Sequence, residues 1–506
     1  MCLIYLFADV TGYAYDMLNA LGIVVLVLLW KNPFLLSYSG FVFSVMAVIA
    51  IGVGANVLLE WEHSWKRRQQ AGEETIKKTF FSRQKEGILV SFAIQLFTIP
   101  LVAYSYYEIP VYAMLINLFV LAVVNGLLGL TVLGMIVGMA FLPAGRVLFA
   151  PCGWMLDSYR FLCEVSLKIP GAQRITGKPA HMRIFWYYLG LGVFLLAIYA
   201  CARRNEKHKD CRETADLCVS RRKKRLQGIV FSCFIAFLLL FLLFPQKKSF
   251  EIDFLDVGQG DGIYLCTGGG TSMFIDGGST DVKQVGKYRI LPFLKAKGVS
   301  EISYWFVSHT DTDHVSGLKE VLVSGYRVEY LVFAKAVEKE AKTKELAELA
   351  RSHGTKVLYM QAGDTVRSKR AAMRCLYPKA SDKAEDVNDL CLVLQFEEGD
   401  IRALFGGDIS TDVEEQLLRR RKWDKVLIFK ADHHGSRYAN AEALLKCIRP
   451  EITVASAGKD NRYGHPSPDA VQRIKESGSR FFCTIEGGRI RVRVIENKLV
   501  CETYVK

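Results

Sequence analysis

The chain has no CxxC pair and no Cys/His cluster at metal-ligand spacing, although it holds 13 cysteines in 506 residues. That absence argues against a cysteine-based zinc module. Several cysteines (Cys201, Cys211, Cys218, Cys233) lie in or beside apolar segments, where a thiol serves as a small hydrophobe. No disulfide framework can be deduced from their spacing. The start, MCLIYLFADV, has neither a basic stretch nor an A-x-A-like cleavage site, so no removable leader is read there. The glycine-rich DVGQGD (256–261) lacks the GK[ST] of a phosphate-binding P-loop. Histidine is scarce, at nine residues, so its placement is informative.

Charge is missing only locally. Charge-poor apolar runs recur at about residues 14–31, 34–59, 88–107, 109–126, 127–149, 183–202 and 228–245. Each is near the ~20 residues that a spanning helix needs. Seven in one half argue against buried helices of a soluble core, so residues 1–245 are expected to form a polytopic α-helical membrane domain of about seven spans. The net charge of +14 suits nucleic acid, anionic lipid or anchoring loops. Much of it sits in two loops. Residues 60–87 carry Lys66, Arg67, Arg68, Lys77, Lys78, Arg83 and Lys85, and residues 203–227 carry Arg203, Arg204, Lys207, Lys209, Arg212 and the run RRKKR. Both are expected on the cytoplasmic side, and the four runs between them are an even number, consistent with one shared side. The segment 153–167 is apolar but carries Asp157, Arg160 and Glu164, and suits an amphipathic helix along the interface. The run at 228–245 then crosses outward, which puts residues from Phe250 onward outside the cytoplasm.

Composition changes at Gln246. Runs such as FEIDFLDV, SMFID, ISYWFV, VEYLVFA and KVLIFKA read as strands, alternating with helical stretches near 338–353, 411–421, 440–448 and 468–477. The pattern predicts, over 246–506, two mixed sheets with helices outside. Five of the nine histidines fall in polar clusters that end strands: SHTDTDH (308–314), KADHHGS (430–436) and NRYGHPSP (461–468). Other clusters, DVGQGD, IDGGS (275–279) and FGGD (405–408), share that position. Such loops on a sheet scaffold are where active sites are built.

SHTDTDH places four candidate ligands in six residues. A helix cap needs one such residue. In an extended loop, residues two apart face one side, so His309 and Asp311 can serve one metal while Asp313 and His314 serve a second. Asp408 can bridge both, and His433 or His434 can complete the second. Two ions roughly 3.5–4 Å apart clamp a phosphodiester and lower the pKa of a shared water. Hydrolysis is expected to depend on Asp313, with His465 donating a hydrogen bond or proton to the leaving oxygen. Asp256, Gln259 and Asp276 can orient the ligating histidines from behind.

These residues carry a resemblance. FLDVGQGD, IDGGS, SHTDTDHVSGL, FGGD, HHGS and YGHPSP, over about residues 254–468, resemble the metallo-β-lactamase superfamily, and in particular the C-terminal domain of ComEC-type competence proteins, the DNA-uptake channels of transformable bacteria. NPFLLSYSGFVFSVMAVIAI and ILVSFAIQLFTIPLVAYSYYEIPVYAMLINLFV resemble the core helices of that family's competence domain. The resemblance implies an αββα sandwich, a multi-pass protein of the bacterial cytoplasmic membrane that passes single-stranded DNA, and an outward-facing hydrolase that degrades the other strand with two divalent ions, Zn²⁺ or Mn²⁺. Membrane lipid and other competence proteins are the implied further partners.

The chain departs from the pattern in three ways. Asp311 stands where the superfamily has its second histidine, which brings Mn²⁺ into competition with Zn²⁺. No histidine lies between His353 and Asp408, so the superfamily's third ligand to the first metal is missing and that site is expected to be the weaker. The family's OB-like domain and early spans have no counterpart, so the chain is expected to be N-terminally truncated relative to the family. Two alternatives compete with nuclease function: a membrane-tethered hydrolase of a small phosphodiester or lactone, and a non-catalytic module that grips DNA.

Overall fold

A computed structural model describes residues 1–69, 80–207, 216–244, 248–496 and 498–504. The basic-loop residues Lys77, Lys78, Lys209 and Arg212 lie outside them. The chain divides into two compact units, Met1–Pro245 and Gln246–Lys506.

In the first unit, four helices among the described residues are long and apolar enough to cross a membrane: Ser39–Ser64, Lys85–Tyr106, His181–Arg204 and Arg222–Leu243. The further apolar runs of the sequence are also helical, with bounds that differ from those expected. Met17–Lys31 is helical for 15 residues only, about 22 Å at 1.5 Å per residue, against a hydrocarbon core near 30 Å. The boundary between the runs at 109–126 and 127–149 lies further along the chain than expected. A single helix, Ala113–Ala140, passes through their junction, and the break comes at Phe141, followed by Leu142–Leu167 with a proline in its first turn. Glycines such as Gly126 and Gly129 do not break a helix that lacks competing solvent, whereas Pro143 starts one readily. Residues 153–167, expected along the interface, are therefore the second half of that longer helix. The two helices meet closely: a Cβ on Gly145 would lie 2.5 Å from the Gly138 Cα.

The unit's core joins Ala50, Ala55, Ala93, Phe97, Tyr187 and Leu238. Pro100 lies inside the helix Phe80–Tyr106 and has no N–H to offer the Leu96 carbonyl one turn back. The Tyr187 hydroxyl donates to that carbonyl at 2.9 Å, and the Tyr188 hydroxyl donates to Phe97 O at 2.8 Å. Tyr187→Phe is expected to lower the thermal stability of the full chain in detergent by about 1 kcal/mol. Pro100→Ala in that background restores the backbone donor, so the two changes together cost less than their sum.

The second unit is the expected αββα sandwich. One sheet has eight strands in the spatial order Lys498–Tyr504, Arg489–Ile495, Glu251–Phe254, Gly262–Cys266, Ser272–Asp276, Glu301–Phe306, Arg327–Ala334 and Lys356–Met360. The other has seven: Arg480–Cys483, Ile452–Ala455, Ile428–Lys430, Ile401–Phe405, Val393–Glu398, Ala371–Tyr377 and Thr365–Ser368. Both mix orientations. Neighbours linked by helical crossovers pair in parallel, as Ser272–Asp276 does with Glu301–Phe306, and Ile401–Phe405 with Ile428–Lys430.

Strand alternation sorts the core into layers. Phe306 and Phe405 point between the sheets, with Phe254, Phe396 and Val454. Their neighbours point outward: Trp305 packs with Leu318 and Leu346 of the helices Thr312–Val323 and Ala341–Ser352. Leu404 packs with Leu417, Leu445 and Ile474 of the helices Thr411–Arg420, Glu442–Ile448 and Pro468–Glu476. Strands from both sheets end in the polar loops.

Candidate metal centre

Glycine lets the loops press together. A Cβ on Gly260 (φ +150°) would lie 2.4 Å from Asp313 O, and one on Gly278 would lie 2.5 Å from His314 N. Only glycine permits that approach. The Asp261 N–H donates to Asp313 O at 3.1 Å, tying DVGQGD to the start of the helix Thr312–Val323.

That helix changes the ligand grouping. It begins at Thr312, so residues 312–314 turn and the alternation expected of an extended loop ends at Asp311. Asp311 is 45% exposed and pairs with Lys342 at 2.9 Å; its nearer approach to His309 Nε2 is 4.0 Å. His309 instead groups with Asp313 and His314. A second group joins Asp261, His314, Asp408 and His434, all buried. His314 belongs to both. Asp408 Oδ2 stands 3.4 Å from His314 Nε2, 3.3 Å from His434 Nε2 and 3.8 Å from His433 Nε2. His434 lies inside the cluster at 2% exposure, and His433 stands at its rim at 33%. Both adopt positive φ, 48° and 54°. His465 neighbours them, with ring centroids 5.5 Å from His433 and 6.2 Å from His434.

The histidines are oriented from behind. His314 Nδ1 meets Asp276 Oδ2 at 3.0 Å and His434 Nδ1 meets the Ser456 carbonyl at 3.0 Å. Neither partner can donate, so each Nδ1 carries a proton and each Nε2 faces inward. Asp276 also accepts from Ser308 N and Oγ, both at 2.8 Å. Of the three acceptors expected behind the histidines, only Asp276 is seen in that place. Asp256 pairs with Arg289 at 3.0 Å. Gln259 accepts from Gly458 N at 3.2 Å and, through its own N–H, donates to Asp281 at 2.8 Å. Both tie loops together.

Two residues that the sequence reading leaves unassigned stand in the cluster. Asp261 lies 3.7 Å from His434 Nδ1 and forms an ion pair with Lys430 Nζ at 2.8 Å, each side chain 1% exposed. Cys391 is fully buried; its Sγ lies 3.4 Å from His309 Nδ1 and accepts from Asp408 N at 3.4 Å. A second carboxylate in DVGQGD was the available signal for Asp261. Cys391 sits in an apolar run with no distinguishing neighbour.

The electrostatics suit a cation. Burial would keep His314 and His434 neutral, but Asp408, with Asp276 or Asp261, more than offsets it and raises both, His434 to about 9. Burial opposes ionisation of Asp313, yet His434, 3.7 Å away, and the His314 charge hold it down at about 2. Burial, then His314, pushes His309 down to about 4. His465 is also pushed down to about 4, by burial and by His434 and His433. Carboxylates that hold protons on neighbouring histidines mark a place where a metal ion can replace those protons. His314 Nε2, His434 Nε2, Asp408 Oδ1 and Asp261 Oδ1 are buried without a hydrogen-bond partner. Imidazole and carboxylate donors left so are the set a divalent ion satisfies, so the residues fit the group.

Cys391 links the two groups of ligands. Cys391→Val is expected to lower metal occupancy of the full chain roughly 10-fold or more, the size of other losses behind a ligand. Cys391→Ser keeps a hydrogen-bonding atom and should retain most of it. Metal content after dialysis against a fixed free-ion concentration reads the difference.

Residues 1–200 match the family model of the competence protein. ComE operon protein 3 of Bacillus subtilis is 24% identical over 508 residues, covering 97% of this chain and 60% of that protein. Competence protein ComA of Neisseria gonorrhoeae is 28% identical over 250 residues, covering 49% of this chain and 32% of that protein. The chain thus spans about 60% of the first relative's length and about a third of the second's. Among solved structures, the metallo-beta-lactamase fold protein YhfI from Bacillus subtilis aligns with a TM-score of 0.33 and 11% identity, over 46% of this chain and 96% of that one.

Proposed function

We propose that this chain, a ComEC-type competence protein, takes part in moving DNA across the cytoplasmic membrane during transformation, and that its second unit hydrolyses phosphodiesters of the strand that does not pass. The observation that carries the hydrolytic part is the set of buried His and Asp atoms turned inward without partners at the seam of the two sheets.

His314, His434, Asp408 and Asp261 would hold one divalent ion, and His309 and Asp313 would contribute to a second; His314, with one free nitrogen, serves one of them. Zn²⁺ and Mn²⁺ both suit such donors. Bound there, the ions supply Lewis acidity and a water of lowered pKa. Asp276 and Ser456 keep the imidazole lone pairs aimed inward. His465 is neutral at physiological pH, so it acts on a leaving oxygen as a hydrogen-bond donor rather than as an imidazolium. Lys342 holds Asp311 away from His309, which leaves the first position the more open.

The second unit is proposed to face outside. Support comes from the helices between the two basic stretches: Lys85–Tyr106 and His181–Arg204, with the pair Ala113–Ala140 and Leu142–Leu167 between them, an even number with or without that pair. An even number returns the chain to one side, and the helix Asp216–Leu243 then leaves it. The test uses the full chain in detergent with Mn²⁺ or Zn²⁺ and single-stranded DNA. Cleavage is expected, and Asp313→Ala should abolish it. An inert wild type under every divalent ion would remove the enzymatic part.

A further inference from the structure

Beside the metal cluster lies a cavity of about 670 Å³ that has His465 in its wall. We propose that this cavity is a nucleobase subsite, taking the base next to the phosphodiester that the cluster attacks. The inference rests on the phosphodiester reading above and deepens it.

Three observations select the occupant. First, the cavity is continuous with the cluster through one side chain. His465 lines it while its ring stands 5.5 Å from that of His433. Its Nδ1 is buried and has no partner. A ligand in the cavity therefore touches a side chain that also borders the cluster. Second, the walls are apolar where a flat ring would lie: Val471, Phe481 and Ile485. The volume lies in the range of sites that bury a nucleoside-sized ligand, roughly 300–1,000 Å³. An aromatic side chain in such a wall gives a stacking surface that contributes about 1–3 kcal/mol per base. Third, the exposed part of the lining carries two carboxylates, Glu476 and Glu486, with Lys475 beside them. Carboxylates accept N–H bonds from a base edge, so the two glutamates suit a base, while Lys475 suits the phosphate attached to it. The same chemistry favours bases that present several N–H donors, guanine above thymine. Tyr463, 52% exposed, stands at His465 with its ring nearly parallel at 5.7 Å. Arg462 lies over it at 5.2 Å, which offers the next unpaired base a second platform.

The test compares two substrates of the full chain in detergent with Mn²⁺: the p-nitrophenyl ester of deoxyguanosine 5′-monophosphate and methyl p-nitrophenyl phosphate. In each, water adds to phosphorus and the P–O bond to p-nitrophenolate breaks, so only the nucleoside differs. The kcat/KM ratio is expected to favour the nucleoside ester at least tenfold. Val471→Trp fills the cavity and should bring that ratio close to one. Glu486→Gln, on the exposed rim, should lower the preference for the deoxyguanosine over the thymidine ester severalfold. A wild-type ratio near one, or a ratio unchanged in Val471→Trp, overturns the proposal. If neither ester is hydrolysed, the phosphodiester reading fails and binding decides the subsite. Deoxyguanosine monophosphate should then bind the full chain at least tenfold tighter than inorganic phosphate in calorimetry, and Val471→Trp should abolish the difference. Equal affinities for the two ligands would sink it.

Discussion

Asp408→Asn is expected to weaken divalent-metal binding by at least about 100-fold, more than the 10–100-fold typical of groups behind a ligand, and to remove hydrolysis with it. The reason is position. One oxygen of Asp408 stands within 3.3–3.8 Å of three imidazole nitrogens, and the other is buried without a partner. No other described carboxylate approaches all three. The amide keeps the shape but offers one neutral oxygen, so an ion held there would lose an anionic ligand. The fold should persist. Without that charge burial weighs more heavily on His314 and His434 and shifts both toward the neutral form, so the metal-free variant should unfold close to the metal-free parent. Isothermal titration with Mn²⁺ and thermal unfolding in chelator separate the two effects. Equal metal affinity in variant and parent would remove Asp408 from the site.

Lys430→Met is expected to destabilise the second unit by about 3–5 kcal/mol, the usual result of removing one partner from a buried ion pair. Asp261 and Lys430 are both shut off from water and 2.8 Å apart. Burial opposes ionisation of Asp261, while Lys430, His434 and His314 hold it charged. Methionine replaces the stem of the lysine and leaves that carboxylate without its nearest cation. For a domain of this size the loss corresponds to a fall of about 6–20 °C in unfolding temperature. Lys430→Met combined with Asp261→Leu removes both charges and should recover most of the loss, because an apolar pair of similar volume does not pay desolvation. Scanning calorimetry of the full chain checks both. A double variant no better than the single would show that the lysine acts through packing rather than charge.

The dense ligand loop was legible because SHTDTDH concentrates metal-binding side chains where an apolar run stops. The αββα layering was legible too, since strand-like and helical runs alternate. What the sequence hid is local geometry. Whether Asp311 shares a face with His309 depends on the helix starting at Thr312, and HxDxDH reads equally well as an extended loop. Asp256 and Asp261 are identical carboxylates five residues apart, and only the turn at Gly258 and Gly260 sends the second inward. Cys391 is one of 13 cysteines, and its neighbours are typical of a buried strand. In the membrane unit, composition shows that residues 109–149 are apolar but not where the helix ends. That is fixed by Phe141 and Pro143, at a point hydropathy does not mark.

The order of strands in the eight-stranded sheet has a consequence for synthesis. Arg489–Ile495 lies beside Glu251–Phe254, and Arg491 Nε reaches the buried Asp253 carboxylate at 3.1 Å across 238 residues of chain. A ribosome working at 5–20 residues per second takes roughly 10–50 s to cover that interval. Through it, the first strand of the unit has one bare edge, and Asp253 has Lys297 at 2.7 Å but neither Arg489 nor Arg491. The sandwich therefore cannot close vectorially as it emerges. It must be kept from pairing with other nascent edges until its final strands arrive, which makes this unit a natural client for chaperones that shield unfinished sheets.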